Sequence, residues 1–169
     1  MHIAYFSSAE PGEIDRVLVK VSEAARRAEI AITGTVQPAP ADGVIQKCEI
    51  VLQLLPDGPI RNVSLDLGPG VIGCRLDMGA LEEAALIIEG RVPTARALVV
   101  NKFGKQEAVG RGLVTAIGLA AERGLPVLVG VSPEYLEAFL AFAEGQAKAM
   151  PADASTIIDW LRGAVTTAA

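Results

Sequence analysis

One histidine, two cysteines and a 4% share of aromatic residues leave this chain short of the side chains most often used for nucleophilic and metal chemistry. His2 stands at the amino terminus and reads as a strand residue, so neither Cys48 nor Cys74 has a histidine to serve as its general base. The cysteines are not at metal-ligand spacing, and both are expected to be reduced. Nor is there an excess of positive charge. A formal net charge of -5 argues against a sequence-independent nucleic-acid binder, which needs many lysines and arginines against phosphates. No apolar run is long enough to span a bilayer, and no basic segment leads into an apolar core with a small-residue cleavage site. The expectation is a cytoplasmic protein that uses no membrane.

What the chain does have is apolar mass. At 51% hydrophobic residues and a mean hydropathy of +0.40 it is a folded chain, and 169 residues suffice for one domain with a substantial core. The same apolar content also fits a homo-oligomer interface. His2–Ser7 and Ile30–Val36 read as strands and Glu13–Ala28 as a helix. Cys48–Leu55 and Ile60–Leu67, parted by Pro56-Asp-Gly-Pro59, read as an antiparallel hairpin. The pattern then predicts a helix over Met78–Gly90, a strand over Leu98–Asn101, a helix over Val109–Arg123 and a strand over Pro126–Val131. Pro133–Gly145 and Ser155–Arg162 close the chain as helices. Such alternation implies a three-layer α/β domain over residues 1–169, with a mainly parallel sheet, helices on both faces and an antiparallel hairpin insertion.

Three segments carry candidate chemistry. A phosphate-binding loop needs a glycine-rich strand-to-helix turn, a lysine for the β/γ-phosphates and a Ser/Thr for magnesium. Ser7-Ser-Ala-Glu-Pro-Gly-Glu-Ile14 occupies that place, with Ser7, Ser8, Gly12 and Glu13 as its degenerate counterparts. Gly12 matches the second glycine, but Ser7 replaces the first, Glu13 the lysine and Ile14 the hydroxyl. A like-charge contact of that kind costs on the order of a few kcal/mol, so ordinary triphosphate binding there is not expected. The simpler reading is a plain turn with Ser7 or Ser8 capping the helix.

The second segment, Asp66-Leu-Gly-Pro-Gly-Val-Ile-Gly-Cys-Arg-Leu-Asp77, is dense in glycine, which lets backbone N–H groups approach an anion closely. Arg75 adds a guanidinium fork for an oxyanion and gives Cys74 an electropositive neighbour. The alternative is an irregular connector in which Asp77 caps the following helix. The third is Ala97-Leu-Val-Val-Asn-Lys-Phe-Gly-Lys-Gln-Glu-Ala-Val-Gly-Arg-Gly112, a buried strand running into a polar segment. Lys102, Lys105 and Arg111 there face the single carboxylate of Glu107, either as an anion site at a strand's carboxyl end or as a solvated loop.

The elements DLGPGxxGCRLD and NKFGKQE stand here in full. Through them the chain resembles an uncharacterised bacterial family of P-loop-NTPase-like proteins, from about Val63 to Arg162. NKFGKQE is in turn similar to the Walker B segment of small nucleoside triphosphatases. The resemblance puts Asn101 in the place of the magnesium-associated aspartate and Lys102 in that of the catalytic glutamate, while Gly104 and Glu107 match the pattern. Loss of the loop lysine, the magnesium hydroxyl and the metal-side aspartate removes three requirements of phosphoryl transfer together.

The resulting expectation is a non-hydrolytic protein that binds a small anion, a nucleotide or oxyanion, in a binding or regulatory role. The candidate residues are Asp66, Gly68, Gly70, Gly73, Cys74, Arg75 and Asp77 in one loop, and Asn101, Lys102, Gly104, Lys105, Gln106, Glu107 and Arg111 in the other. Arg75, Lys102 and Lys105 would supply charge, and amides near Gly70 and Gly104 would supply donors. Asp66, Asp77 and Glu107 would orient the cations or touch a metal. No catalytic residue, fixed cofactor or resident metal is assigned. The alternatives are an enzyme of the nucleoside-triphosphatase type acting on a nucleotide or phosphorylated metabolite, and a protein-interaction module.

Overall fold

Alternating apolar segments build a seven-stranded sheet between two helical layers in the computed structural model, which describes residues 2–39, 50–65, 68 and 75–168. The strands are β1 (Ile3–Ser7), β2 (Ile32–Val36), β3 (Val51–Leu55), β4 (Ile60–Asn62), β5 (Ser64–Leu65), β6 (Arg75–Leu76), β7 (Ala97–Phe103), β8 (Val127–Val131) and β9 (Ala147–Ala149). The helices are α1 (Glu13–Arg27), α2 (Met78–Arg91), α3 (Lys105–Ala108), α4 (Val114–Glu122), α5 (Leu136–Phe142) and α6 (Ala154–Thr167). Across the sheet the order is β4-β3-β2-β7-β8-β1-β9. From β2 to β9 every neighbour is parallel; β3 and β4 add an antiparallel edge, and β5 pairs with β6 in a separate ribbon.

The period-two alternation of β7 divides the core. Leu98, Val100 and Phe103 face a layer holding Ile88 of α2, Ile117 of α4 and Phe139 of α5. Ala97 and Val99 face Leu18 and Val21 of α1 and Ile157 and Leu161 of α6. Burying a side chain of this size is worth about 1.5–3 kcal/mol, so the two faces hold the sheet between them. Helix α1 reads as its sequence predicts, with a buried stripe of Ile14, Val17, Leu18, Val21 and Ala25, acids in the first turn and arginines in the last.

Several boundaries differ from expectation, each for a local reason. The second hairpin arm breaks at Val63, which is fully buried and turns its N–H to Ile50 O (2.8 Å) and its carbonyl to Asp77 N (2.7 Å). The helix expected from Val109 begins at Val114, because Gly110 (φ 79°) and Gly112 (φ 61°) hold a turn open. Pro133–Tyr135 forms a 3-10 turn before α5, and α6 runs on past Arg162 to Thr167. Strand β9, Ala147-Lys-Ala149, was not expected at all; it pairs Ile3 with Ala147 on the edge beside β1. Cys48 and the connector from Pro40 lie outside the described residues.

Candidate functional site

A cleft of about 580 Å³ opens at the carboxyl ends of β2 and β7, where loops of a parallel sheet normally receive ligands. Strand β7 runs two residues further than expected, and the extension contains a bulge. Val100 pairs with Val129 and Phe103 with Val131, so Asn101 and Lys102 together stand against Gly130 alone. An extra residue rotates the side chains that follow it, which is how bulges re-aim groups beside sites. Asn101, 7% exposed, accepts a hydrogen bond at Oδ1 from Thr35 Oγ1 of β2 (2.9 Å). Gly130 gives the bulge its room. A Cβ there would lie 2.6 Å from Asn101 O and 2.5 Å from Ile14 Cγ2 of α1.

Lys102 lines the cleft and also interacts electrostatically with Asp15, in the first turn of α1. Asp15 Oδ1 is buried without a hydrogen-bond partner, and burial pushes its carboxyl pKa up, while Lys102 and Arg16 pull it down. Because the folded-state value is raised, the folded chain holds the proton more firmly than the unfolded one. Asp15 therefore makes stability fall as pH rises out of the ordinary carboxylate range. Replacing Asp15 with Asn should remove its share of that slope in urea denaturation followed from about pH 4 to about pH 8. A steeper slope in the variant would mean that Lys102, rather than burial, governs the carboxylate.

The segment after β7 is fastened by Glu107. This carboxylate is 8% exposed and accepts from Gly104 N at Oε2 (3.1 Å) and Leu113 N at Oε1 (3.3 Å). Burial raises its pKa more than these donors lower it. Beside it, Glu82 accepts from Gly112 N (2.9 Å). Glu107 therefore spends its oxygens on the backbone of its own loop.

Of the candidate residues, Arg75, Asn101, Lys102, Gly104, Lys105, Gln106 and Glu107 line the cleft. Arg75 reaches it from β6, where it pairs with Leu65. Asp77 does not line it; its Oδ1 accepts from Ala80 N (3.1 Å) and caps α2. Arg111 does not line it either, although its Nη1 lies 4.0 Å from Sδ of Met78, which does. Gly68 is described (φ 78°) but is not among the lining residues, and Asp66, Gly70, Gly73 and Cys74 lie outside the described residues. The cleft is also lined by Gln37, a polar residue just beyond the carboxyl end of β2, and by an apolar wall of Leu52, Val63 and Leu81, none of which carries a sign of a site in the sequence.

The turn between β1 and α1 is closed by its own side chains. Ser7 Oγ donates to Val131 O (2.7 Å), Ser8 Oγ donates to the Glu13 carboxylate, and Glu10 N donates to Ser8 Oγ (3.0 Å). Arg16 folds back on Glu10 (2.5 Å) and on Pro11 O (3.2 Å). The plain-turn reading expects Ser7 or Ser8 to cap α1, and neither does. Gly12, in the left-handed region at φ 73°, occupies that position without a side-chain bond. Glu13 and Asp15 place negative charge at the helix's positive end. None of these turn residues lines the cleft, and among the described residues no group of three or more His, Cys, Asp or Glu could hold a metal. No described helix is long and apolar enough to cross a membrane.

The parallel sheet, the strand-to-helix turn after β1 and the polar strand end at β7 define a P-loop-NTPase-like α/β fold. The solved structures agree. Over 99% of the chain the fold matches a human cancer-related nucleoside triphosphatase (TM-score 0.67, 17% identity, 97% of that chain). It also matches THEP1 from Aquifex aeolicus over 99% of the chain (TM-score 0.65, 13% identity, 98% of that chain). The chain belongs to the family described as protein of unknown function DUF2478, which matches residues 3–160. It is also 31% identical over 153 residues to the molybdenum import ATP-binding protein ModC 2 of Bradyrhizobium diazoefficiens. That match takes in 89% of this chain and 17% of the relative's length.

Proposed function

We propose that this chain binds a small organic anion of the nucleotide class in the β2–β7 cleft and does not hydrolyse it. One observation carries the reading: Arg75, Lys102 and Lys105 line a single cleft whose one described lining carboxylate, Glu107, is buried and engaged by backbone N–H groups. Three cations facing an otherwise uncommitted space attract anionic oxygens. The apolar wall of Leu52, Val63 and Leu81 suits a ligand with an organic body better than a bare oxyanion. The nucleoside triphosphatase folds and the ATP-binding relative support the nucleotide class. The self-closed β1–α1 turn supports the non-hydrolytic part, because Glu13 stands where a phosphate-binding lysine would be needed.

The relative's molybdenum transport makes molybdate the oxyanion to set against nucleotides. Thermal shift with ATP, GTP, phosphate, sulfate, molybdate and tungstate, each with and without magnesium, tests the proposal. A ligand at about one hundred times its Kd should add about 2.7 kcal/mol, a rise of roughly 5–10 °C. The rise should be lost in Lys102→Ala and reduced in Arg75→Ala. Phosphate release from ATP or GTP would establish the competing reading, a nucleoside-triphosphatase-type enzyme on the same scaffold. Indifference to every anion would favour a protein-interaction module.

A further inference from the structure

The opposite end of the same elements carries a second cavity, of about 340 Å³. It lies at the amino end of β2, between Thr33, the β3–β4 turn at Pro56–Gly58 and Arg91 in the last turn of α2. Helix α2 separates it from the first cleft, since Met78 lines that cleft and Arg91 this one, about 20 Å apart along the axis. One of its polar groups, the Thr33 hydroxyl, is uncommitted. Thr33 is 1% exposed, and its Oγ1 has no hydrogen-bond partner, a costly state for a buried hydroxyl. Arg91 Nη1 donates to Leu55 O (2.7 Å), which fixes the guanidinium against the turn. A Cβ on Gly58 would lie 2.7 Å from both Leu54 O and Leu54 Cβ and 3.1 Å from that nitrogen, so glycine lets the turn fold this closely onto β3 beside Arg91. Asp57 lines the same cavity, yet it forms no ion pair with Arg91 among those of the described residues.

We propose that this cavity is a binding site for a small zwitterion of amino-acid size, its carboxylate toward Arg91 and Thr33 and its ammonium toward Asp57. A cation and a carboxylate that share one cavity without pairing are complementary to a ligand bearing both charges. The held guanidinium offers directional donors that a carboxylate matches. A Thr33 hydroxyl donating to the same carboxylate would end its unpaired state. Ala31, Ile32 and Ala95 supply apolar walls for a short aliphatic side chain. The site is independent of the anion cleft, and so is its test.

The experiment is titration of the whole chain with neutral L-amino acids, followed by calorimetry and backbone-amide NMR. Propionate, isobutyrate and isobutylamine serve as single-charge controls. The expected result is saturable binding of one or more short aliphatic amino acids. It should shift the amides of Thr33 and Gly58 while leaving Gly104 unmoved, and bind at least tenfold tighter than either control. Asp57→Asn, an exposed substitution, and Arg91→Lys should each weaken it at least tenfold. Thr33→Val should weaken it while raising the melting temperature, because the unpaired hydroxyl is gone. No saturable shift with any amino acid overturns the proposal, leaving water as the occupant. So does binding of the carboxylic acid as tight as the amino acid, or affinity unchanged in both Asp57→Asn and Thr33→Val.

Discussion

Gly34→Ala should cost more than about 4 kcal/mol, enough to take most of the stability of an ordinary domain. Gly34 lies in mid-sheet, paired with Leu55 of β3 on one side and with Val99 of β7 on the other. Its φ of 128° is a region that side chains rarely enter, and a Cβ built there overlaps the Val99 carbonyl oxygen. The next atoms met are Val99 C at 2.7 Å and Val99 N at 2.9 Å, all of them backbone. A flexible side chain could swing aside, but a strand held by its other neighbour cannot. The substitution therefore sets the β2–β7 pairing against the β2–β3 pairing, at the junction where the parallel sheet meets its antiparallel edge. Gly118→Ala is the matched control. It lies within α4 with nothing within 4 Å of the added methyl, so it should stabilise by about 0.5–1 kcal/mol. Urea denaturation of both variants tests the pair of signs, and a Gly34→Ala protein with ordinary stability would show that the close approach is not there.

Which parts of this arrangement could be read beforehand follows from how local their causes are. Helix α1 and strand β8 announce themselves, the first by the spacing of Ile14, Val17, Leu18 and Val21, the second by an unbroken Val-Leu-Val-Gly-Val run. The P-loop-NTPase-like architecture was legible from that alternation and from the two motif elements. The bulge in β7 was not, because its cause lies across the sheet: Asn101 and Lys102 share one partner only where Gly130 of β8 makes room. Strand β9 has three residues, Ala-Lys-Ala, with no pattern of their own, and exists because β1 offers an edge. At the candidate site Arg75, Lys102 and Lys105 stood out as cations in polar segments, and the structure brings them to one cleft. Asp15 was hidden, since a carboxylate in a helix's first turn usually serves the dipole; its tie to Lys102 depends on α1 crossing over β7. Glu107 stands out in the sequence for its charge alone. Its service to the backbone appears only when Gly104 and Leu113 are seen on either side of it.

That service makes Glu107→Ala the second substitution with a large expected effect, about 3 kcal/mol or more. Truncation leaves the N–H groups of Gly104 and Leu113 without acceptors and opens a void beneath α3. Gln should cost less, roughly 1 kcal/mol, since its amide oxygen can satisfy one of the two donors while its NH₂ meets the other badly. The two variants also separate charge from geometry. Burial raises the Glu107 pKa from its ordinary 4.5, with Glu82 adding to the shift and the backbone donors opposing it. A carboxyl with a raised folded-state value binds its proton more firmly in the folded chain, so stability falls as pH rises from about 4.5 through that higher value. Gln has no such proton to lose. The advantage of wild type over Glu107→Gln should therefore be greatest in acid and narrow toward neutral pH, whereas the deficit of Glu107→Ala should stay large throughout. Urea denaturation of the three proteins across that range decides it. A wild-type advantage over Gln that widens with pH would mean that the backbone N–H groups outweigh desolvation, and that the loop from Gly104 to Leu113, which carries Lys105, is held by an ionised carboxylate the protein favours. With the narrowing result, the same loop is built around a charge it tolerates for its two acceptor oxygens.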